Sequence, residues 1–332
     1  MEELLCRPRP TLVDFMRTVS SPLVVLGAGG KMGPTLAVLA KRAAQMAGYP
    51  LEVIAVSRFS DETPRRWLEA HGVSTWRADL LERGAVQGLP EAAHVVYLVG
   101  LKFGTRQNPG LTWAINTLVP AYVAERYARA RLVVLSTGNV YPLVPVGRAG
   151  ASESHGLTPL GEYANAAVAR ERIFGHFAQR LGTPMAFLRL SYAVELRYGV
   201  LVDIARKVWG GEPIELANGC FNCIWQGDAN EMILRALALA TSPAEAWNLT
   251  SPQVLRVREV AEQLGTLFGR APQFIGQESN TALLSDVSKL SAVLGEPATS
   301  LAAVLRWTAH WVQHGGRSLD KPTHFEVRDG YF

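Results

Sequence analysis

The chain has 332 residues, of which 48% are hydrophobic and 19% are charged, and its formal net charge is +4 at pH 7. This composition is typical of a globular protein and excludes a disordered chain. The small, dispersed excess of basic residues disfavours a nucleic-acid-binding protein, and no apolar stretch reaches the roughly 18 residues that a membrane helix needs. We therefore expect a cytoplasmic protein that contacts neither nucleic acid nor a membrane.

In chain order, an N-terminal arm over residues 1–20, with a short helix around Leu12–Val19, precedes a regular alternation of strands and helices. The predicted strands cover Leu23–Leu26, Glu52–Ser57, Val73–Arg77, His94–Gly100, Leu132–Ser136 and Met185–Leu190. The helices between them cover Pro34–Met46, Thr63–His71, Leu111–Ala130 and Pro159–Leu181. Continuous apolar strands that alternate with helices predict a doubly wound parallel sheet, the Rossmann-type α/β fold.

The alternation loosens after residue 192. Helices are predicted over Leu201–Trp209, Asp228–Ala240 (with Asp228 as N-cap), Val257–Leu267, Asp286–Leu294 and Leu301–His314. Strands are predicted near Ile214–Leu216 and Trp247–Leu249, with a hairpin-like stretch over Cys220–Trp225. We therefore predict a dinucleotide-binding domain over 1–192, which includes the arm 1–20, and a smaller C-terminal α/β substrate-binding region over 193–332. The tail 315–332 is expected to wrap the surface.

A glycine-rich loop separates the first strand from the first long helix. Its sequence is Gly27-Ala-Gly-Gly-Lys-Met-Gly33. Glycines allow a tight turn and a close approach of the backbone to a pyrophosphate, and the N-terminus of the following helix offers N–H groups and a positive dipole end. The predicted pyrophosphate site comprises Gly27, Gly30, Lys31, Met32 and Gly33.

The end of the second strand indicates which dinucleotide binds. Many NAD sites carry an acidic residue there for the ribose 2′-hydroxyl, whereas this chain has Ser57 and Arg58. A guanidinium is suited to a 2′-phosphate, and Lys31 adds to the positive field. Asp61 is the competing acidic residue. The prediction is NADP, with NAD as the alternative.

Several further motifs, together with the glycine loop, resemble the extended short-chain dehydrogenase/reductases, also called the NAD-dependent epimerase/dehydratase family. They are Ala78-Asp-Leu80, Val99-Gly-Leu-Lys102, Asn116, Ser136-Thr-Gly-Asn-Val-Tyr141, Pro159-Leu-Gly-Glu-Tyr163, Leu188-Arg-Leu-Ser-Tyr192 and Trp225-Gln-Gly-Asp228. The resemblance covers nearly the whole chain. It implies a nicotinamide-dependent oxidoreductase, epimerase or dehydratase that acts on a sugar, a nucleotide sugar or a sugar acid.

The resemblance also implies roles for individual residues. Thr137 and Tyr163 match the hydroxyl groups that contact the reacting hydroxyl of the substrate, with Tyr163 as the proton carrier. The implied cofactor contacts are Asp79 and Leu80 at the adenine, Gly100 and Lys102 along the ribose and phosphates, Asn116 in the next helix, Tyr163 itself, and Ser191 and Tyr192 beside the nicotinamide.

The family's catalytic lysine is absent, because its Tyr-x-x-x-Lys motif reads Tyr163-Ala-Asn-Ala-Ala167 here. In the family that lysine holds the nicotinamide ribose and lowers the pKa of the tyrosine. Arg170 shares the helical face of Tyr163 and Ala167, so it is a candidate substitute, and Lys102 is another. Two alternatives stay open: another group handles the proton, or the protein is a non-catalytic dinucleotide-binding sensor or partner module. A solvated salt bridge within Arg170-Glu171-Arg172 is the simpler interpretation of Arg170.

The expected substrate contacts lie mainly in the C-terminal region. They are Asn139, Arg197, Asn222 and Trp225. No metal site is expected, because Cys220-Phe-Asn-Cys223 is a lone CxxC with no second pair and no nearby His, and both cysteines are interpreted as small core or pocket residues. Three cysteines are also too few for a disulfide framework. As in the family, the helices at 111–130 and 159–181 are expected to pair in a homodimer.

Overall fold

The structure is a computed structural model that describes residues 1–102, 104, 107–319, 323 and 325–330. The chain forms two compact units whose segments alternate along the sequence. The sheet unit comprises Met1–Thr137, Glu162–Arg189 and Asn230–Trp247, and the second unit comprises Gly138–Gly161, Leu190–Ala229 and Asn248–Phe332. The assignment of residues 1–192 to the cofactor and 193–332 mainly to the substrate stays a prediction.

The helices, in chain order, are α1 Glu2–Leu5, α2 Pro10–Met16, α3 Gly33–Met46, α4 Glu62–Ala70, α5 Arg83–Gln87, α6 Pro109–Arg126, α7 Gly161–Leu181, α8 Val200–Gly210, α9 Gln226–Arg235, α10 Val257–Phe268, α11 Ser288–Leu294 and α12 Leu301–Gln313. The strands are β1 Leu23–Leu26, β2 Val53–Ser57, β3 Ser74–Arg77, β4 His94–Tyr97, β5 Arg131–Thr137, β6 Val144–Pro145, β7 Met185–Leu190, β8 Ala193–Val194, β9 Pro213–Glu215, β10 Cys220–Phe221, β11 Ile224–Trp225, β12 Glu245–Leu249, β13 Leu255–Arg256, β14 Gln273–Ile275 and β15 Thr281–Ala282. Across the described residues, no helix combines the length and the apolar character that crossing a bilayer requires.

A seven-stranded sheet has the order β12-β7-β5-β4-β1-β2-β3. The neighbours β5, β4, β1, β2 and β3 run parallel to one another. All four residues of β1 are buried, as expected for a strand covered on both faces. The predicted doubly wound parallel sheet is confirmed.

The core of the sheet unit lies between the strands and the helices α6 and α7. The ring of Tyr97 on β4 meets Phe174 on α7 edge to face, with 4.9 Å between the ring centroids. Val24, Val95 and Leu132, on three neighbouring strands, are fully buried in the same cluster. Each such aliphatic side chain contributes about 1.5–3 kcal/mol of transfer free energy.

Element boundaries differ from the prediction where tertiary contacts end a segment. The predicted strand His94–Gly100 ends at Tyr97, because its partner β1 ends at Leu26, which lies opposite Tyr97. The predicted helix Leu111–Ala130 begins two residues earlier, since Asn108 accepts a hydrogen bond from the backbone N–H of Leu111 at 3.0 Å.

The N-terminal arm is helical in two places rather than one. The helices α1 and α2 both pack on α3, the helix that follows the glycine loop. Leu12 and Met16 of α2 are fully buried, and the Cys6 thiol lies 3.4 Å from the carbonyl oxygen of Thr35 on α3. The arm therefore extends the core of the sheet unit.

The second unit is built around the mutually packed helices α8, α10 and α12. Short two-stranded sheets surround them, and the pairing corrects one prediction. Residues 220–225 do not form a hairpin, because β10 pairs with β13 and β11 pairs with β8. The hairpin prediction rested on local composition, which does not reveal partners more than 30 residues away.

Two further predictions for this region are wrong. Asp228 is not an N-cap, because α9 begins at Gln226, and the Asp228 carboxylate instead accepts hydrogen bonds from the N–H and hydroxyl of Thr299, both at 2.9 Å. The tail does not only wrap the surface, because Thr323 and Phe325 are 3% and 2% exposed. The polar composition of this segment suggested that it would be exposed to solvent, but the burial of the apolar Phe325 side chain packs it against the rest of the protein.

Candidate functional site

Two of the glycines in the loop after β1 are required by the fold. Gly27 has φ +82°, a conformation that favours glycine, and a Cβ there would lie 3.0 Å from the backbone nitrogen of Val99. At Gly33, a Cβ would lie 2.5 Å from the Cα of Ala28. The loop therefore folds tightly against itself and against the segment that follows β4.

Gly30, by contrast, has open space. Its φ is not positive, and the nearest atom to an added Cβ is the carbonyl oxygen of Gly27 at 3.4 Å. Gly29 and Gly30 are exposed, and α3 begins at Gly33 without a side-chain cap. An exposed glycine pair before an uncapped helix N-terminus fits a pyrophosphate, and this cradle would be filled by a side chain at position 30.

The end of β2 borders the loop, as the sequence predicts. A Cβ at Gly29 would lie 2.6 Å from the hydroxyl oxygen of Ser57. The next residue, Arg58, is exposed and makes no hydrogen bond or ion pair with the described residues. Asp61 is used as the N-cap of α4, where it accepts a hydrogen bond from the backbone N–H of Thr63 at 2.8 Å.

The residues after β3 form a compact turn. The half-buried Asp79 accepts a hydrogen bond from the backbone N–H of Leu81 at 3.0 Å, and Leu80 is 7% exposed. This bond orients the Asp79 carboxylate, because one of its oxygens is fixed to the local backbone. The roles of Asp79 and Leu80 at the adenine stay predictions.

Arg170 is buried rather than solvated. The side chain is 3% exposed, and its Nη1 donates to the carbonyl oxygen of Val99 at 2.9 Å and to Oδ1 of Asn116 at 3.1 Å. A Cβ at Gly100 would lie 2.7 Å from the same Nη1. Arg170 therefore connects α7, α6 and the loop after β4, and the interpretation of Arg170 as a solvated salt bridge is wrong.

The charge of Arg170 is not neutralised by a carboxylate of the described chain. Its Nε is buried without a hydrogen-bond partner, as is the hydroxyl of the fully buried Tyr97. Burial raises the pKa of Tyr97, and the nearby positive charge of Arg170 opposes that rise. An orphaned donor and an unpaired cation beneath the loop after β4 fit a site that an anionic or hydroxyl-rich ligand completes.

Sequence reasoning missed the partners of Glu171, the neighbour of Arg170 on α7. The Glu171 carboxylate is 5% exposed and accepts hydrogen bonds from Arg189 on β7, the closest at 2.7 Å, and from the Ser136 hydroxyl on β5. Removing one partner of such a buried pair costs about 3–5 kcal/mol. The apolar residues that flank Arg189 on its strand are the only sequence signal that predicts its burial.

The predicted catalytic residues lie at ends of elements. Thr137 is the last residue of β5 and is 6% exposed, while the half-buried Tyr163 lies in the first turn of α7. Ala167 is fully buried. Lys102, the second candidate for the missing cation, is half-buried, and desolvation lowers its pKa to about 8, so it stays mostly protonated at pH 7.

The predicted residues at the start of the second unit also lie in structured positions. Ser191 is 4% exposed, and its hydroxyl lies 3.1 Å from that of Ser285. Tyr192 has φ +40°, which is rare for a residue with a bulky side chain. Asn139 lies in a turn of 3₁₀ helix after β5 and lines a small cavity together with Tyr192.

The remaining predicted substrate residues have internal contacts. The fully buried Asn222 amide donates to the carbonyl oxygen of Ser285 at 2.8 Å. Trp225 is 4% exposed and packs on Trp307 at a ring-centroid distance of 5.3 Å, and Arg197 pairs with Glu195 at 3.1 Å. Their roles toward a substrate stay predictions, and their contacts are those of structural side chains.

Cys220 and Cys223 are both buried, which agrees with their interpretation as small interior residues. Burial raises the pKa of the Cys223 thiol to about 12, so it is protonated at neutral pH. Among the residues that the structure describes, no group of three or more His, Cys, Asp or Glu side chains is arranged to hold a metal ion.

Comparison with known proteins decides the family. The model of the NAD dependent epimerase/dehydratase family matches residues 23–199, more than half of the chain. The chain belongs to this family. The matched range begins at β1 and includes the glycine loop, Thr137 and Tyr163, so the resemblance that the motifs indicate is confirmed. No curated protein matches the chain.

Solved structures of epimerases share the fold. The Methanothermobacter thermautotrophicus epimerase has a TM-score of 0.75 and 18% identity, over 92% of this chain and 96% of that one. The Thermotoga maritima UDP-glucose 4-epimerase with UDP-glucose has a TM-score of 0.71 and 18% identity, over 89% of this chain and 99% of that one. The Thermus thermophilus UDP-glucose 4-epimerase with NAD has a TM-score of 0.69 and 22% identity, over 88% of this chain and 99% of that one. At these identities the epimerase/dehydratase relatives establish the fold.

Proposed function

We propose that this protein is a nicotinamide-dependent oxidoreductase, epimerase or dehydratase that acts on a sugar, a nucleotide sugar or a sugar acid. The observation that carries the proposal is the carboxyl edge of three neighbouring parallel strands. The glycine loop follows β1, the Val99–Lys102 segment follows β4, and Thr137 ends β5. Ligands bind at the carboxyl ends of the strands in open α/β sheets.

The substrate class is supported by the relatives. The Thermotoga maritima protein was solved with UDP-glucose and the Thermus thermophilus protein with NAD. We test the class with a screen of sugars, sugar acids and nucleotide sugars, in which reduced-nicotinamide absorbance and isomer formation are both measured. Turnover of a nucleotide sugar is the expected result, and the absence of turnover across the whole panel by protein that binds the dinucleotide would overturn the proposed class.

The roles of the chain's own residues follow from their chemistry. A bound nicotinamide cofactor would supply hydride transfer at a substrate carbinol. The Tyr163 hydroxyl takes or gives the proton of the reacting hydroxyl, and the Thr137 hydroxyl orients that group by a hydrogen bond. Arg170 supplies a fixed positive charge in the same unit and positions the loop after β4 through its bond to Val99.

Arg58 is proposed to select NADP by binding the 2′-phosphate. Because the side chain is exposed and unpaired, and Asp61 is occupied as a helix cap, a positive group borders the site where NAD sites often have an acid. Arg58→Ala is expected to weaken NADP binding about 10- to 100-fold, which is the contribution of one charge-assisted hydrogen bond, and to leave NAD binding unchanged. Calorimetric titration of both cofactors measures this, and tighter binding of NAD than of NADP by the unmodified protein would contradict it.

Arg170 is proposed to take over part of the missing lysine's role. Arg170→Ala is expected to move the pH–rate profile to higher pH, because loss of a nearby positive charge disfavours the ionised form of an acidic group. Arg170→Lys retains the charge and is expected to restore part of the profile. The control is Arg172→Ala, which changes an exposed residue of the same helix.

A structural role alone would lower stability without moving the profile. Equal profiles for Arg170→Ala and Arg172→Ala therefore contradict the proposed role of Arg170.

Homodimerisation through the helices at 111–130 and 159–181 stays a prediction, which the exposed Trp113 and Leu118 on α6 favour. A cytoplasmic location likewise stays a prediction.

A further inference from the structure

The C-terminal segment, defined here as residues 325–330, forms part of the wall of a small cavity within the second unit. The volume of the cavity is about 40 Å³. Among the lining residues are Asn139, Tyr141, Tyr192, Asn218, Val327 and Arg328.

Arg328 is held in place by acceptors of its own unit. Its Nη1 donates to the carbonyl oxygens of Ala217 at 3.1 Å and Thr281 at 2.8 Å, and its Nη2 donates to the Thr281 hydroxyl at 2.8 Å. A longer contact of 3.4 Å joins Nη1 to Oδ1 of Asn218. A guanidinium carries five N–H donors, so Nε and the second hydrogen of Nη2 are left without a protein acceptor among the described residues.

Arg328 also has no carboxylate at ion-pair distance among the described residues. Its guanidinium is half-buried. Neutral carbonyl and hydroxyl groups fix its orientation, and they do not cancel its charge. A cation that is oriented, partly desolvated and unpaired at a cavity wall favours an anionic occupant.

The segment that carries Arg328 is anchored on both sides. On the N-terminal side of Arg328, the Thr323 hydroxyl donates to the Asp203 carboxylate at 2.5 Å, and the Phe325 carbonyl oxygen accepts a hydrogen bond from Asn218. On the C-terminal side of Arg328, Gly330 is packed against the backbone of Gly161. Arg328 is therefore held in a fixed position in the cavity wall.

Tyr192, which carries a second hydrogen-bond donor, lines the same cavity. Burial raises the pKa of Tyr192 to about 12, so its phenol is neutral at pH 7 and keeps its O–H. A hydrogen bond with the Asn218 side chain opposes this rise in pKa, and the nearby negative charge of Glu326 adds to it. The positive φ of Tyr192 is a strained conformation of the kind that occurs at ligand sites.

We propose that this cavity binds the carboxylate of a sugar acid, with Arg328 as the cation and Tyr192 as a neutral donor. The inference rests on the proposed function and narrows its substrate class. A water molecule requires about 10–15 Å³ of such volume, so a cavity of about 40 Å³ accepts a group of about three heavy atoms, which is the size of a carboxylate.

The test compares ligand pairs that differ by one carboxylate. Calorimetry with UDP-glucuronate and UDP-glucose, and separately with glucuronate and glucose, is carried out on the cofactor-loaded protein. The unmodified protein is expected to bind the acid of each pair about 10- to 100-fold more tightly. Arg328→Gln is expected to remove that preference, and Arg328→Lys to retain part of it. The control is Arg306→Gln, an exposed arginine on α12.

The outcomes separate the two proposals. If the unmodified protein binds acid and neutral sugar equally, or if folded Arg328→Gln keeps the preference, the carboxylate site is wrong although the proposed function stands. If neither nucleotide sugar binds but glucuronate binds in an Arg328-dependent way, the site stands and the nucleotide-sugar class fails. If Arg328→Gln does not fold, the carboxylate site is still tested by the affinities of the unmodified protein and of Arg328→Lys for the acid and the neutral sugar of each pair.

Discussion

Gly30→Val is expected to weaken dinucleotide binding at least about 100-fold, or about 3 kcal/mol, without unfolding the protein. A Cβ at this position meets only the carbonyl oxygen of Gly27, at an ordinary contact distance of 3.4 Å, so the loop itself tolerates it. The branched side chain instead occupies the space in front of the uncapped N-terminus of α3, where a pyrophosphate is expected. Calorimetric titration with NAD and NADP measures the loss.

The choice of position matters for this experiment. Substitution of Gly27 or Gly33 would clash with backbone in the absence of any ligand, so lost binding there would report misfolding. Gly84→Val is the matched control, because a Cβ at this glycine in α5 has no atom within 4 Å. If Gly30→Val binds either cofactor as tightly as the control does, the pyrophosphate site lies elsewhere.

Tyr163→Phe is expected to lower the rate of turnover by about 10²- to 10⁴-fold, which is the usual contribution of positioned proton transfer. The substitution removes one hydroxyl and keeps the ring in the first turn of α7, so cofactor binding and stability are expected to change little. The turnover rate under saturating cofactor, with the substrate found by the screen, measures the effect.

Tyr122→Phe serves as the control, since this half-buried tyrosine of α6 lies outside the predicted site. A Tyr163→Phe enzyme with the same rate as this control would show that the proton passes through another group or through water. Loss of cofactor affinity in Tyr163→Phe, by contrast, would assign the hydroxyl to binding.

The sheet and the glycine loop were predictable because local sequence dictates them. Leu23–Leu26 is apolar at every position, and such a short run directly before a glycine loop is typical of a strand buried on both faces. The glycines at 27 and 33 mark close backbone approaches that any side chain would prevent. Both signals lie within a few residues of the structure that they produce.

Other features depend on partners that are distant in sequence. Glu171 is adjacent to two arginines, but its carboxylate pairs with Arg189 on β7, and no local pattern distinguishes that pair from a solvated one. The strand partner of β10 lies at residues 255–256. The polar C-terminal segment becomes part of a cavity wall through Phe325 and Arg328, which only the tertiary structure reveals.

The replacement of the family's lysine by Ala167 makes catalytic competence the central claim. The most direct measurement is the formation of reduced nicotinamide or of a sugar isomer by the unmodified protein, with NADP and with NAD, across the panel of sugars, sugar acids and nucleotide sugars. We expect turnover of at least one of these substrates, and we expect Tyr163→Phe to abolish it. Tight binding of the dinucleotide with no turnover across the panel would contradict the proposed catalysis and would indicate a non-catalytic dinucleotide-binding protein.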